Sequence, residues 1–337
     1  MLAVFVLLAG MALLSLVHEL GHAAAARLVG LRITDICLGL GPPLFRFERR
    51  GIHFLLAPIP LGGFVRVAEL SPDYRRPNLS GRSSILRLAV IVAGPAMNYL
   101  FAALTAFVLV FVLGIETGGG KGLNVVSVDV GAAHAGLVPG DLIFQINGRP
   151  IKDLRALSQA LASSEADALV TVSRDGQPKE LHMSRLRARS GAWGLGAAYT
   201  VEPEMRRAGL GEALGYAATR PLQEAGSMSA RAAAAIKASP AKVRPLGIVG
   251  LADRVYAAKG WTWRRVLTLA ISLSVAMGLF NLIPFPGLDG GRMCIEAAQA
   301  ICRRQVSSHW LFAMQITGGL ILLAAWISLT IFEIHHL

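Results

Sequence analysis

The feature that most constrains this chain is a pair of histidines flanking a glutamate at the end of an apolar run. Seventeen uncharged residues, 1–17, lead directly into His18, Glu19 and His22. An α-helix turns by about 100° per residue, so side chains four residues apart lie on one face. Ionisable groups inside an apolar helix are costly unless they are paired or bind a metal. The spacing therefore predicts a zinc site with Glu19 as general base. The alternative is a helix end with interfacial polar residues.

Apolar segments long enough to span a lipid bilayer recur along the chain. Hydrophobic residues make up 54% of its 337 residues and charged residues only 16%, which argues against an ordinary soluble enzyme. About 20 apolar residues cross the hydrocarbon core, and the segments 1–26, 88–115, 266–283 and 310–332 meet this requirement. A cleavable signal peptide is the alternative for the first segment. No positive charge precedes its apolar run, so we expect a retained helix.

The distribution of basic residues predicts the orientation in the membrane. The net charge is +12, but the basic residues are spread along the chain without a nucleic-acid-binding motif, so we expect no nucleic-acid partner. Loop 27–87 contains ten arginines and four acidic residues, which predicts the cytoplasmic side. The connection 283–310 then lies on the same side, while both termini and segment 116–265 lie outside.

All three cysteines fall in the cytoplasmic connections, where no disulfide framework is expected.

A third zinc ligand is expected, because catalytic zinc usually has three protein ligands and one open position. The third apolar segment runs inward and is followed by residues 281–291, which are rich in proline and glycine. Pro284 and Pro286 lack amide donors and end the helix. Asp289 follows at the same depth as the two histidines, which makes it the candidate ligand. The alternative is an ordinary surface turn, in which the same residue types are common.

These motifs together resemble the site-2 protease family of intramembrane zinc metalloproteases, most closely its bacterial RseP group. The matching patterns are His-Glu-x-x-His at 18–22 and Asn-x-x-Pro-x-Pro-x-Leu-Asp-Gly at 281–290. Segments 59–65, 93–98 and 245–250 also match, in the same order along the chain. The resemblance implies that Zn²⁺ is bound by His18, His22 and Asp289, with Glu19 as general acid and base.

The same resemblance implies residues that contact the substrate. Asn281 resembles the family asparagine that holds the substrate backbone near the metal. Segment 32–67 matches a β-structure that dips into the membrane beside the active site, and 44–48 with 52–56 predict a hairpin within it. Asn98 is a possible further site residue, with a helix-packing amide as the alternative. The residues expected nearest to the substrate on the β-structure are Gly62, Gly63 and Phe64.

Residues 117–186 have the pattern of a small β-rich domain that resembles a bacterial PDZ domain, a module that accepts peptides by strand addition. The resemblance to the RseP group implies two such modules in tandem, whereas this chain has room for one. The glycine-rich run 118–122 is either a linker, which we favour, or a carboxylate-accepting loop. The predicted elements are strands at 125–130, 142–146, 169–174 and 180–183, a tight turn at 147–148 and an amphipathic helix at 154–162.

The predicted fold is a polytopic α-helical membrane protein with four transmembrane helices, a membrane-associated β-hairpin or sheet after the first helix, and an inserted PDZ-like α+β domain. Residues 208–237 are rich in alanine but carry charges at intervals, which indicates an interfacial helix rather than a fifth span. The predicted divisions are an N-terminal membrane part (1–115), the PDZ-like domain (116–187), a linker with the interfacial helix (188–263) and a C-terminal membrane part (264–337).

The resemblance implies regulated intramembrane proteolysis in a bacterial inner membrane. The expected substrates are single-span membrane proteins that an upstream site-1-type protease has already shortened on the outer side, such as anti-sigma factors in stress responses. The PDZ-like domain and both termini are expected on the periplasmic side, and the lipid bilayer is the other partner. The alternatives are a non-catalytic membrane scaffold that presents the PDZ-like domain, a metal transporter, and a zinc protease with a downstream glutamate ligand.

Overall fold

The computed structural model describes residues 2–68, 84–164, 167–184, 186–187, 193–237, 262–302 and 306–336. The family-like segment 245–250 lies outside the described residues. The helices are α1 (Leu2–Leu28), α2 (Ser84–Leu113), α3 (Val130–His134), α4 (Leu154–Ala162), α5 (Leu210–Lys237), α6 (Trp263–Asn281), α7 (Asp289–Cys302) and α8 (Ser308–His336). The strands are β1 (Ile33–Leu40), β2 (Phe45–Arg49), β3 (Ile52–Leu56), β4 (Ile59–Val67), β5 (Ile115–Val128), β6 (Leu142–Ile146), β7 (Arg149–Pro150), β8 (Asp167–Arg174), β9 (Gln177–Ser184), β10 (Leu186–Arg187), β11 (Trp193–Gly194) and β12 (Ala197–Arg206).

The four predicted apolar segments form helices α1, α2, α6 and α8. Each contains a stretch long and apolar enough to cross a membrane, of 22, 29, 19 and 24 residues respectively. A helix satisfies its backbone hydrogen bonds within the segment, which is what the interior of a bilayer requires. The prediction of four candidate membrane helices is therefore confirmed.

A four-stranded sheet follows α1 directly, with the strand order β2-β3-β1-β4. The predicted hairpin is formed by β2 and β3, which pair antiparallel around Arg50 and Gly51; both of these residues have positive φ, 54° and 74°. β1 pairs parallel with β3 and antiparallel with β4. Among the described strands β4 therefore lies at one edge of the sheet, and it also packs against α1. The sheet thus presents an edge strand to the helix that bears both histidines.

Residues Val110–Gly209 form a separate compact unit, named the β unit here. Its sheet has the order β12-β5-β6-β8-β9, with β7 paired to β6. Aliphatic side chains from these strands and from α4 form its core, including the fully buried Leu123, Ile143 and Leu161. The helix predicted at 154–162 is α4, and the predicted strand at 142–146 is β6. The local patterns thus identified these elements correctly.

Two segments of the β unit differ from the prediction. β5 begins at Ile115, so the glycine-rich run 118–122 lies within a strand and is neither a linker nor a carboxylate-accepting loop. Glycine is required within it, because a Cβ on Gly122 would lie only 2.5 Å from the carbonyl oxygen of Ile143. Residues 197–206, expected in a linker, form β12 and pair with β5. Gly120 and Gly122 of β5 therefore allow a close approach of neighbouring backbone, that of Lys152 and Ile143 respectively.

The helical unit comprises Met1–Leu109 and Leu210–Leu337. Within it α5 packs against α6, and the Ser272 hydroxyl donates a hydrogen bond to Glu224 Oε1 at 2.9 Å. The helix predicted at 208–237 is therefore present. Its interfacial position in a membrane stays a prediction.

Candidate metal centre

Three side chains from distant parts of the chain converge in the helical unit. His18 and His22 lie one turn apart on α1, and Asp289 begins α7. Asp289 Oδ2 lies 2.9 Å from His18 Nε2 and 3.2 Å from His22 Nε2, and the two Nε2 atoms are 3.2 Å apart. All three side chains are largely buried. The structure thus brings together the three residues that the sequence suggests as ligands.

A turn rich in proline and glycine returns the chain from α6 to this cluster. Gly287 has a φ of 95°, a conformation that favours glycine. Gly290 and Gly291 pack so closely on the preceding turn that a Cβ on either would meet a backbone carbonyl oxygen, that of Ile283 or Phe285. α7 therefore starts directly against the end of the turn, and Asp289 is its first residue.

The environment of Asp289 favours its charged form. Burial raises the pKa of the Asp289 carboxyl, but the neighbouring His18 and His22 side chains outweigh burial and hold the pKa well below its usual range. Asp289 is therefore a carboxylate, which is the form that binds a metal ion.

The second ring nitrogen of each histidine has a partner on α2. His22 Nδ1 lies 2.8 Å from the carbonyl oxygen of Val90. His18 Nδ1 lies 3.2 Å from the side-chain amide of Asn98. A hydrogen bond at Nδ1 fixes the orientation of the ring, and metal-binding histidines almost always make one.

The cluster has the chemistry and the dimensions of a zinc site. Two imidazole nitrogens and a carboxylate oxygen form a common donor set for catalytic zinc. Ligand atoms about 2.0–2.1 Å from a tetrahedral zinc are about 3.4 Å apart, close to the distances of 2.9–3.2 Å between these atoms. Gly94 on α2 leaves space for the rings, since a Cβ there would meet His22 Nε2 and lie 2.9 Å from His18 Cε1. The three side chains therefore fit zinc.

Glu19 lies beside this cluster, between α1 and the edge strand β4. Its side chain is buried, and its carboxylate accepts a hydrogen bond from the backbone N–H of Val65. A Cβ on Gly63 would lie 3.2 Å from Glu19 Cγ and 2.5 Å from the Cys37 carbonyl oxygen. Glycine at this position lets β4 approach both α1 and β1. The candidate general base is thus held between the histidine helix and the sheet.

The other residues predicted near a substrate have contacts of their own. Phe64 lies on the opposite face of β4 from Gly63, where the Arg66 guanidinium lies 5.5 Å from its ring centroid. Gly62 has a φ of 80°. Asn281 ends α6, and its amide nitrogen donates to the Met277 carbonyl at 3.1 Å. The substrate contacts of these residues stay predictions.

Glycines that let the helices approach one another were missed in the sequence. A Cβ on Gly21 would meet the carbonyl oxygen of Ala93. A Cβ on Gly278 of α6 would lie 3.0 Å from the Tyr99 ring. Glycine destabilises a helix interior by about 1 kcal/mol relative to alanine, so its presence inside apolar helices was the available signal. Segment 93–98 thus contributes close packing of α2 against α1.

Comparison with known proteins finds relatives along almost the whole chain. The model of Peptidase family M50 matches residues 6–325. A protein of Clostridium perfringens is 30% identical over 99% of this chain and 98% of its own length. A protein of Rhizobium meliloti is 29% identical over 87% of this chain and 86% of its own. Both carry the name "Putative zinc metalloprotease". Among solved structures, the PDZ domain of the SdrC-like protein from Listeria monocytogenes is 24% identical over 24% of this chain and 88% of that chain, with a TM-score of 0.21.

Proposed function

The chain belongs to the peptidase M50 (site-2 protease) family and is a zinc metalloprotease, and on this premise we propose that it cleaves the membrane-spanning segments of single-span proteins. The main support is the convergence of His18, His22 and Asp289 within a unit built largely from apolar helices. A hydrolytic site among membrane-spanning helices has access to peptide bonds that lie within the bilayer. The location of the polar cluster therefore agrees with intramembrane proteolysis.

We assign His18, His22 and Asp289 as zinc ligands and Glu19 as general acid and base. Zinc bound there would lower the pKa of water toward about 7 and polarise a carbonyl group. Glu19 would take a proton from the attacking water and deliver it to the leaving amine. The Val65 amide orients the Glu19 carboxylate. Because the reacting groups are already held by neighbouring backbone and side chains, little reorganisation is needed during the reaction.

The edge strand β4 is the proposed docking strand for substrate. A helical substrate must become extended near the metal, because its peptide groups are otherwise bonded within the helix. An edge strand pairs readily with an incoming extended chain. Gly63 and Val65 of β4 lie against Glu19, so a chain added there would pass the general base. Gly62, Phe64 and Asn281 are the further residues that we assign to substrate binding.

We also propose a regulatory arrangement for the β unit. Its sheet, with β12 at one edge among the described strands, agrees with a PDZ-like module that accepts peptides by strand addition. In this proposal the β unit lies on the periplasmic side of a bacterial inner membrane and excludes intact outer domains. The arginine-rich loop 27–87 supports this orientation. The substrates would then be proteins that an upstream protease has already shortened, with anti-sigma-factor release as the expected outcome.

The decisive experiment compares wild type with Glu19→Gln in proteoliposomes that contain a single-span model substrate. We expect cleavage to fall by about 10²–10⁴-fold, the usual contribution of a general acid-base group. Zinc content measured by atomic emission should remain that of wild type, because Glu19 is not among the assigned ligands. The matched control is Glu48→Gln, since Glu48 is an exposed carboxylate on β2. Undiminished cleavage by Glu19→Gln would refute the assignment of Glu19 as general acid and base, whereas no cleavage by the wild-type chain would favour a non-catalytic scaffold.

A further inference from the structure

The two histidines of the metal centre satisfy Nδ1 in different ways. His22 Nδ1 faces the backbone carbonyl oxygen of Val90 at 2.8 Å, which only accepts hydrogen bonds. The proton of the neutral His22 ring is therefore placed on Nδ1, and its Nε2 is free to bind a metal. His18 Nδ1 instead faces the side-chain amide of Asn98 at 3.2 Å. An amide presents either a donor or an acceptor, so the tautomer of His18 depends on the orientation of Asn98.

Asn98 is held firmly in the interior of the helical unit. Its relative exposure is 0%, and the Ser274 hydroxyl of α6 donates to its backbone carbonyl at 2.8 Å. The side-chain Oδ1 has no hydrogen-bond partner within the part of the chain that the structure describes. A buried polar atom without a partner costs about 1–3 kcal/mol. Helix packing alone would be better served by an apolar side chain, which points to a specific use for the amide.

The chemistry of metal binding supplies that use. A histidine that binds zinc through Nε2 carries its proton on Nδ1, and this N–H requires an acceptor. Rotation of the Asn98 amide by 180° about its last side-chain bond exchanges nitrogen for oxygen and brings Oδ1 to face His18 Nδ1. The same rotation gives the otherwise unpaired oxygen a partner. One side chain thus provides for His18 what the Val90 carbonyl provides for His22.

We propose that Asn98 is the positioning residue for His18. Its amide oxygen accepts the Nδ1 proton and selects the tautomer in which Nε2 binds the metal. Asn98 acts through His18 and contacts neither substrate nor metal in this role. The inference rests on the proposed function of His18 as a zinc ligand, and it assigns a specific role to an amide that helix packing leaves unexplained.

The test measures zinc affinity of the purified full chain by competition with a chelator, independently of proteolysis. Asn98→Leu keeps the size of the side chain but removes the acceptor, and we expect zinc to bind about 10–100-fold more weakly, the usual cost of losing an outer partner of a ligand. Asn98→Asp retains an acceptor and should stay within about threefold of wild type, since a carboxylate is a common partner of a zinc-bound histidine. Ser274→Ala is the packing control, because the Ser274 hydroxyl donates to the backbone carbonyl of Asn98 and not to its side chain. The zinc affinity of this variant should match wild type.

Three results would overturn the inference while leaving the proposed function intact. They are wild-type affinity in Asn98→Leu, an equal loss in Asn98→Asp and Asn98→Leu, and an equal loss in Ser274→Ala. The last two would show that the site responds to packing rather than to the hydrogen-bond acceptor. Failure of the wild-type chain to bind zinc would instead contradict the proposed function itself.

Discussion

The β unit and the metal centre are built from opposite kinds of contact. The core of the β unit consists of aliphatic side chains such as Leu123 and Ile143, packed between strands and helices. The metal centre buries polar groups instead, among them His18, Glu19 and Asn98. Apolar packing is shared among many contacts and tolerates conservative exchange. A buried polar group depends on a few partners and is costly without them. Single changes should therefore affect the metal centre more sharply than the β unit.

The largest expected effect tests this difference at Asp289. Asp289→Ala removes a carboxylate that contacts both histidines. We expect zinc affinity to fall by more than about 100-fold, since losing even an outer partner of a ligand costs 10–100-fold, and proteolysis should become undetectable. Zinc analysis and a cleavage assay measure these losses. Hydrogen exchange of the β unit in the same full-length protein should not change.

Retention of full zinc by Asp289→Ala would contradict the assignment. It would favour the alternative of a zinc protease whose third ligand is a glutamate elsewhere in the chain. Loss of hydrogen-exchange protection throughout the β unit in Asp289→Ala would show that the β unit depends on the metal centre.

The next effect is expected at Asp141, a buried carboxylate of the β unit that, like the metal centre, depends on a few polar partners. Asp141 is fully buried and accepts hydrogen bonds from Arg174 Nε and Nη2, both at 2.8 Å, and from the Val138 amide at 3.0 Å. Asp141→Asn should destabilise the β unit by about 3 kcal/mol, because it leaves Arg174 without its counter-charge. Hydrogen exchange of β6 and β8 in the full chain measures the loss. Asp175→Asn is the matched control, an exposed carboxylate next to Arg174, and should change protection little.

The same carboxylate makes the β unit sensitive to acid. Burial raises the pKa of Asp141, but the hydrogen bonds from Arg174 and Val138 outweigh burial and lower the pKa below its usual value. Since the pKa in the unfolded chain is higher, about 3.9, the unfolded state binds more protons in acid. The stabilisation is complete above about pH 4 and is lost as pH falls through the folded pKa. Asp141→Asn should remove this part of the acid sensitivity, and an unchanged pH profile would contradict the account.

The smallest expected effect concerns the support of the Asp289 turn by α8. A Cβ on Gly318 would meet the carbonyl oxygen of Pro286, three residues before Asp289, whereas a Cβ on Gly319 would have nothing within 4 Å. Gly318→Ala should shift the turn and weaken zinc binding by about fivefold, corresponding to about 1 kcal/mol of overpacking. Gly319→Ala is the control and should bind zinc like wild type. Equal affinities in the two variants would show that α8 does not position Asp289.

The β unit contains elements that the sequence pattern predicts and others that depend on distant strands. The strand at 142–146, the helix at 154–162 and the hairpin of 44–48 with 52–56 were predicted, because each follows from the order of apolar and turn residues within one short segment. β12 was not predicted, since Glu202, Pro203 and Glu204 give it the composition of a linker. Its place is determined by pairing with β5. Residues 118–122 were assigned to a linker because a run of glycines is typical of linkers. Ile143, which packs against Gly122, lies about 20 residues further along the chain and gives no local signal.

In the helical unit, the sequence predicted that His18 and His22 share a face and that Asp289 lies at the same depth. The first follows from helix geometry, and the second from the bias of arginines between loops. It did not predict that Val90 and Asn98 provide the Nδ1 partners, or that Gly94 leaves space for the rings. Those contacts depend on how α1 and α2 approach each other.

Local order in the chain therefore accounts for the apolar helices, the histidine pair and most strands, because these depend on residues a few positions apart. Only the assembled fold accounts for the convergence of His18, His22 and Asp289. Asp289 and His18 are 271 positions apart, and His22 and Val90 are 68 apart. Periodicity does not encode contacts over such separations, since they arise only when whole helices pack and their glycines allow the backbones to meet.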